Sequence, residues 1–232
     1  MREEIIGIIS EGAEDQGVLK CIFKAFGFDG SEIRRIRPDL AKDATDRHHN
    51  QQTIGTFQGV MNSCIGKDNI RPDFDRAFSI LNCNCIVIQI DTAEIDQQNF
   101  HFVRPVKVGN PAYCTSLRES TISLINSWLN DMYQDRLLYA ISIEEIESWC
   151  LTVFQSKNTE SITNSKDKLQ KCLSSSNMNF QKYRLDPIKN KMEYFEAFMK
   201  QKGFHKKNKL LQYSKFNTSL KDFITSIEDK FN

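Results

Sequence analysis

The sequence lacks several features that would place it in familiar classes of protein. No apolar run approaches the roughly 18 residues that a membrane-spanning helix needs. The first residues, MREEIIGIIS, put acids before the apolar run, whereas a secretory signal peptide has a basic start and a small-residue cleavage site. We therefore expect a cytoplasmic protein with no membrane partner.

Other absences exclude particular kinds of chemistry. The seven cysteines include one close pair, Cys83 and Cys85, but no C-x-x-C spacing, so a zinc site is not expected. A G-x-x-x-x-G-K-[ST] loop is missing, so the chain carries no P-loop ATPase of its own. The G-x-S-x-G elbow of many serine hydrolases is missing as well.

Charge is present in both signs but is unevenly distributed. Residues 164–232 contain fifteen Lys and Arg against seven Asp and Glu. Because the whole chain has a net charge of +1, this excess of eight leaves the residues before it with an excess of seven negative charges. A basic tail favours a polyanionic partner, and a solvated lysine-rich helical surface explains the same pattern.

Strand-like and helix-like segments alternate along the chain. The alternation predicts an α/β fold with a largely parallel sheet between helices. Polar residues 39–69 are interpreted as an insertion, with a helix near 52–65 as one option. Residues from 156 onward are predicted to form a helical, lysine-rich extension. The apolar patterns predict strands at 4–10, 31–38, 85–91 and 136–142, and helices at 13–26, from Pro72 and at 115–133.

Three of these predicted strands are followed directly by acids, at Glu11, at Asp91 and among residues 144–147. Parallel strands place their carboxyl ends on one edge of a sheet, so we expect these side chains to converge. A hard divalent cation, Mg²⁺ or Mn²⁺, takes oxygen ligands of this kind. Acids at the start of a helix also favour the positive end of its dipole. The sequence leaves both explanations open.

The same residues resemble the motifs of TOPRIM domains. ISEGAEDQGVL resembles the first motif, a strand that ends in Glu-Gly with an acid shortly after it, and VIQIDTAEID resembles the second, a strand that ends in an acidic pair. AISIEEIESW is similar to the segment around Glu-x-Trp in small bacterial TOPRIM-like proteins related to the OLD-family nucleases. The resemblance covers about residues 4–155, so we predict a TOPRIM-like domain over 1–155 and the extension over 156–232.

This resemblance implies a four-stranded parallel sheet between helices and a bound Mg²⁺ or Mn²⁺. It implies metal ligation by Glu11, Asp91, Glu94 and Glu147, with Glu11 also as general acid or base and Gly12 as the glycine of the tight turn. Secondary candidates near the same strand ends are Glu14, Asp15, Asp96 and Glu144. The usual second motif is Asp-x-Asp, whereas residue 93 is alanine here, so Glu94 or Asp96 would replace its second acid.

Two functions follow as hypotheses. The first is a metal-dependent nuclease, a phosphodiesterase acting on DNA or RNA in phage defence or DNA repair, with Lys209, and Lys207 as a second candidate, stabilising negative charge on the phosphate. A solvated surface is the alternative explanation for these lysines. The second function is a non-catalytic TOPRIM-like subunit that binds a separate ATPase or a nucleoprotein complex, and Ala93 favours it.

Overall fold

The computed structural model describes residues 4–38, 56–68, 70–96, 102–106, 112–160, 162–175 and 191–231. A sheet of four parallel strands lies at its centre, in the order β2-β1-β3-β4. The α/β fold and the parallel sheet between helices are therefore confirmed. The strands are β1 Ile6–Ile9, β2 Ile33–Arg37, β3 Cys85–Asp91 and β4 Leu137–Ser142.

Helices follow every strand in the described ranges, so each connection between neighbouring parallel strands crosses a face of the sheet. A π-helical turn, Arg76–Ile80, continues one of these helices, and a short 3₁₀ helix, Gln134–Arg136, precedes β4. The α-helices are α1 Ala13–Ala25, α2 Phe57–Ile65, α3 Pro72–Asp75, α4 Ala112–Trp128, α5 Glu147–Leu151, α6 Ser165–Ser175, α7 Lys191–Gln201, α8 Lys207–Ser214 and α9 Thr218–Phe231.

The end of α4 differs from the sequence-based prediction, whereas the helix offered as an option near 52–65 is present as α2. The helix expected to reach residue 133 ends at Trp128, because Asn130, Asp131 and Tyr133 adopt positive φ angles of 53°, 57° and 64° that a helix does not accept. The polar segment 39–69 contains α2, whose Phe57 is buried in the core. The remainder of that segment, 39–55 and 69, lies outside the described residues.

The two faces of the sheet carry separate apolar cores, because successive residues of a strand point to opposite faces. Ile8 and Val87 face α1, whereas Ile9 and Ile88 face α2 and α4. The core on the α1 side also takes in side chains from the C-terminal half of the chain: Trp149, Leu169, Phe198, Leu210 and Phe223. The helices after residue 156 therefore form one layer with α1, and the boundary at 155/156 stays a prediction.

No helix within the described ranges combines the length and the apolar character required to cross a bilayer.

Glu160 holds the start of α9 from a distant part of the chain. Its carboxylate accepts hydrogen bonds from the amides of Thr218 and Ser219, with 3.1 Å to the latter, and the residue is 2% exposed.

Glu160→Ala leaves these helix N-terminal donors unpaired, so we expect the free energy of unfolding to fall by about 1–2 kcal/mol. Urea denaturation measures this. Glu119→Ala, exposed on α4, should stay within about 0.5 kcal/mol of wild type, and equal effects of the two would contradict the assignment.

Candidate acidic site at the carboxyl edge of the sheet

The centre of the sheet contains a topological switch point between β1 and β3. These strands are neighbours, yet α1 after β1 packs on one face, while α4, the next helix described after β3, packs on the other. The two connections diverge and leave a crevice outside the carboxyl ends of both strands, where open α/β sheets bind ligands. Glu11 lies just beyond the end of β1, and Asp91 is the last residue of β3.

Direct hydrogen bonds bring Glu11 and Asp91 together across this crevice. The Asp91 amide donates to Glu11 Oε1 at 2.6 Å, and the Glu11 amide donates to Gln89 Oε1 at 3.0 Å. Gln89 Nε2 and Ser142 Oγ both donate to Asp91 Oδ1, at 2.8 and 2.5 Å. Gln89 is fully buried inside β3, and its amide therefore links both acids to the sheet.

Two more carboxyl groups are buried beside this pair. Asp15, 4% exposed, accepts a 2.6 Å hydrogen bond from the Gly12 amide and so caps α1, as the helix-dipole explanation expected. Glu147, 3% exposed, begins α5. Its Oε2 is buried and has no hydrogen-bond partner within the described residues. Helix capping accounts for Asp15 but leaves this buried oxygen of Glu147 unexplained.

The cluster holds protons more tightly than isolated carboxylates do. Burial, and next the charge of Asp91, raise the pKa of Glu11 and that of Asp15 well above their ordinary values. The same two causes raise the pKa of Glu147 to about 7. Burial raises the pKa of Asp91 to about 6, although the hydrogen bond from Ser142 favours its charged form. Such upward shifts are typical of functional sites and of mutually repelling acids.

A lysine that sequence reasoning missed completes the site. Glu145 Oε2 accepts hydrogen bonds from Ser165 Oγ at 2.6 Å and from the Lys166 amide at 3.1 Å, which fixes the start of α6 beside the acids. Lys166 Nζ lies 3.9 Å from Glu147 Oε1. Partial burial alone would lower the pKa of Lys166, but the carboxylates of Glu147, Glu145 and Asp91 together outweigh it and raise the pKa.

A pocket of about 260 Å³ is lined by Glu11, Asp15, Asp91, Glu145 and Lys166. Glu14 and Glu94 form part of its wall, and the charge of Glu94 contributes to the raised pKa of Glu11. Ala93 lines the same pocket, so the position that usually carries the second acid of the motif faces the site without a carboxylate. The structure thus places five of the candidate acids in the pocket lining: Glu11, Asp91, Glu94, Glu14 and Asp15. Glu147, the remaining predicted ligand, is buried beside them and is not among the described residues that line the pocket.

Asp96 and Glu144 are held by Arg104. Its Nε lies 3.0 Å from Asp96 Oδ2, and its Nη1 lies 3.8 Å from Glu144 Oε1. The guanidinium also donates to the Thr92 carbonyl at 2.7 Å. The three residues form an anchor for the loop after β3, and neither acid is among the described residues that line the pocket.

Lys207 and Lys209 lie on α8, which the structure does not bring to the acidic cluster. Lys207 Nζ is 2.8 Å from Glu228 Oε1 and 5.0 Å from the centre of the Phe26 ring, at the C-terminal end of α1. The acids lie at the N-terminal end of the same helix. Lys209 packs its side chain near Gly203, in the turn before α8. Lys166 is therefore the lysine positioned to act with Glu11.

Gly12 is the N-cap of α1 and has φ −134°, an extended conformation open to any residue. The constraint on this position is space: an added Cβ would lie 3.2 Å from the carboxylates of Glu14 and Asp15. Glycine thus permits the two acids to fold back over the turn, which differs from the conformational role that the motif implies.

The donor chemistry of the pocket suits a divalent cation, since carboxylate oxygens are the ligands that Mg²⁺ and Mn²⁺ prefer. The unpartnered Glu147 Oε2 supplies a buried acceptor that needs a proton or a cation. Within the described residues, however, no group of three or more His, Cys, Asp or Glu has the spacing to hold a metal ion. Glu11 Oε1 and Asp91 Oδ1 accept hydrogen bonds from protein donors, and the second oxygen of each carboxylate remains as a possible ligand.

Comparisons with known proteins give no match: no protein-family model, no curated protein and no solved structure is similar to this chain. The TOPRIM resemblance therefore rests on the three motifs and stays a prediction.

Proposed function

We propose that this protein is a metal-dependent nuclease of TOPRIM type, which cleaves phosphodiester bonds of DNA or RNA. The observation that supports it most is the contact of Glu11 with Asp91 in a pocket at the switch point of the sheet. The buried and unpartnered Glu147 Oε2 lies beside that contact, within range of the charge of Asp91. Packing of a core does not require a cluster of this kind.

Glu11, Asp91 and Glu147 would hold the cation, with Glu94 at the wall of the pocket. When bound, Mg²⁺ or Mn²⁺ neutralises phosphate charge and lowers the pKa of water bound to it. Both metals compete with protons for the same carboxylates, so cation binding displaces the protons that the cluster retains.

The protein itself contributes a proton acceptor and a positive charge. Burial and the charge of Asp91 raise the pKa of Glu11, and a carboxylate with a raised pKa is a stronger base than an ordinary one. Lys166 is the cation among the described residues that line the pocket, and its ammonium can stabilise the negative charge that develops on the phosphate. Buried Gln89 fixes the relative positions of Glu11 and Asp91, because its Oε1 accepts from the Glu11 amide and its Nε2 donates to Asp91 Oδ1.

A non-catalytic subunit, bound to a separate ATPase or nucleoprotein complex, is the second candidate function. Ala93 faces the pocket where the usual motif carries an acid. The hydrogen bonds that engage Glu11 and Asp91 also stabilise the pair without a cation. Both observations favour a site that is stable and works without a cation.

Cleavage of labelled nucleic acid tests the nuclease directly. Purified protein is incubated with single- and double-stranded DNA and with RNA, in Mg²⁺ or Mn²⁺, and the products are separated on a denaturing gel. We expect cleavage of at least one substrate with a cation and none with a chelator. Absence of cleavage on every substrate, together with co-purification of an ATPase, would favour the subunit.

Lysine variants locate the phosphate contact. We expect Lys166→Ala to lower the cleavage rate about tenfold, because one charge-assisted contact is worth roughly 1.5–3 kcal/mol and Lys166 is largely exposed. Lys209→Ala, on α8, is the matched control and should stay within about twofold of wild type. The reverse order of the two effects would remove Lys166 from the proposed site.

A further inference from the structure

A second and larger pocket, of about 490 Å³, lies beside β2, the edge strand of the sheet. Side chains from β1, α1, β2, the π-helical turn and α7 line it. Its volume is within the range of small-molecule sites in proteins. The TOPRIM motifs do not account for it, because none of the acids at the carboxyl edge is among its described lining residues.

The lining of this pocket is rich in positive charge. Lys20, Arg34, Arg35 and Arg76 contribute to it, against two acids of α7, Glu193 and Glu196. Glu196 is engaged by two lysines of α1, with Lys20 Nζ at 2.9 Å and Lys24 Nζ at 2.5 Å. The guanidinium groups present planar, forked donors that match a phosphate group. The pocket therefore favours an anion, and phosphate most of all.

Gln16 supplies a second, independent observation at this pocket. It lines the pocket and is 1% exposed. Its Nε2 donates to the carbonyls of Arg37 and Pro38, at 2.9 and 3.2 Å, which fixes the orientation of the amide. Its Oε1 is then left buried without a hydrogen-bond partner within the described residues. A buried acceptor without a hydrogen-bond partner reduces the stability of the fold, and a hydroxyl or amino donor of a ligand would supply the partner.

We propose that this pocket binds a phosphorylated small molecule that also carries hydroxyl or amino donors, of the nucleotide or sugar-phosphate class. Arg35 and Arg76 contact the phosphate, and Gln16 Oε1 accepts from the sugar or the base. The two glutamates of α7 disfavour a polymer with many phosphates and suit a compact ligand whose donors face them. The site is separate from the acidic cluster and does not depend on cleavage.

Binding to the full chain in the presence of a chelator tests the site, because no cation can then recruit phosphate to the acidic cluster. Isothermal titration calorimetry is carried out with AMP, ADP, ribose 5-phosphate and pyrophosphate, and with a short single-stranded oligonucleotide. We expect saturable binding of AMP, ADP or ribose 5-phosphate. Nucleotide binding without ribose 5-phosphate binding identifies the base as a required part of the ligand, and equal binding identifies the sugar phosphate.

Variants assign the binding to named residues. Arg35→Ala and Arg76→Ala, both exposed, should weaken binding at least about tenfold. Lys221→Ala, an exposed cation of α9, should bind as wild type does. Gln16→Leu should weaken the binding of AMP more than that of pyrophosphate, because pyrophosphate lacks the sugar hydroxyl and amino donors. If that variant fails to fold, the arginine variants still decide the question.

Three results would overturn the proposal. The first is the absence of saturable binding for every small phosphorylated probe. The second is equal affinity of the wild type and both arginine variants. The third is tighter binding of the oligonucleotide than of every small probe. The last result would make the pocket part of a nucleic-acid surface.

Discussion

Glu11→Gln is expected to reduce metal-dependent cleavage by on the order of 100-fold or more, with little change in the fold. Glutamine has nearly the same size, and its side-chain oxygen can still accept the hydrogen bond from the Asp91 amide. It cannot take up a proton or give a cation an anionic ligand. Initial rates on the best substrate of wild type, at saturating cation, measure the loss.

Asp96→Asn is the matched control, because it removes a carboxyl group near the same strand end that Arg104 holds away from the pocket. It should retain cleavage within a few-fold of wild type. Circular dichroism and thermal unfolding verify that both variants fold, and Glu11→Gln should be at least as stable as wild type at pH 8 without cation. Equal losses in the two variants would show that general disturbance of this edge explains the effect.

Without a cation, the protein is expected to lose stability as the pH rises from about 4 to about 8. The folded-state pKa values of Glu147, about 7, and Asp91, about 6, are raised above the ordinary values near 4, so the folded state holds protons that the unfolded chain has released. This contribution is complete below pH 4 and disappears as the pH rises through the folded pKa values. For Glu147 alone the difference is about 3 kcal/mol.

Added Mg²⁺ or Mn²⁺ should reverse this loss, because the cation binds the deprotonated cluster and stabilises the folded state. The increase in Tm with millimolar cation should be roughly 5–10 °C at pH 8 and close to zero at pH 5, since about 1 kcal/mol corresponds to 2–4 °C at this chain length. Differential scanning calorimetry measures both series. Glu147→Gln should flatten the pH profile, whereas Glu228→Gln, on α9 and paired with Lys207, should keep it. A cation response that is the same at both pH values would contradict a carboxylate site.

The sequence predicted the strands of the sheet well, because buried parallel strands leave a simple signal. CIVIQID in β3 is almost continuously apolar, and only a segment buried on both faces has that composition. Parallel pairing then placed Glu11 and Asp91 on one edge. The role of Gln89 was not visible, since one polar residue in a strand does not show that its amide bridges two acids.

The lysine of the site could not be chosen from sequence, because it depends on contacts between distant segments. Lys166 reaches the acids because Glu145 binds the start of α6, 21 positions further along the chain. Nothing local separates Lys166 from the other lysines of the tail, and the segment around Lys209 looked more basic. Packing of the C-terminal helices beside the sheet was expected, but their shared layer with α1 could not be predicted, since an amphipathic pattern shows that a helix packs but not on which neighbour.

Part of the surface of α1 is covered by segments from the end of the chain, and this affects folding during synthesis. Lys24 and its partner Glu196 are 172 positions apart, and the Phe23 ring packs 6.1 Å from that of Phe223. α1 has early partners in Ile8 and Val87 of the sheet, but a ribosome has to synthesise almost the entire chain before α7 and α9 can cover the rest of its apolar surface. Until then, part of the apolar surface on this side of the sheet is exposed to chaperones and to other nascent chains. Contacts between such distant positions also slow folding.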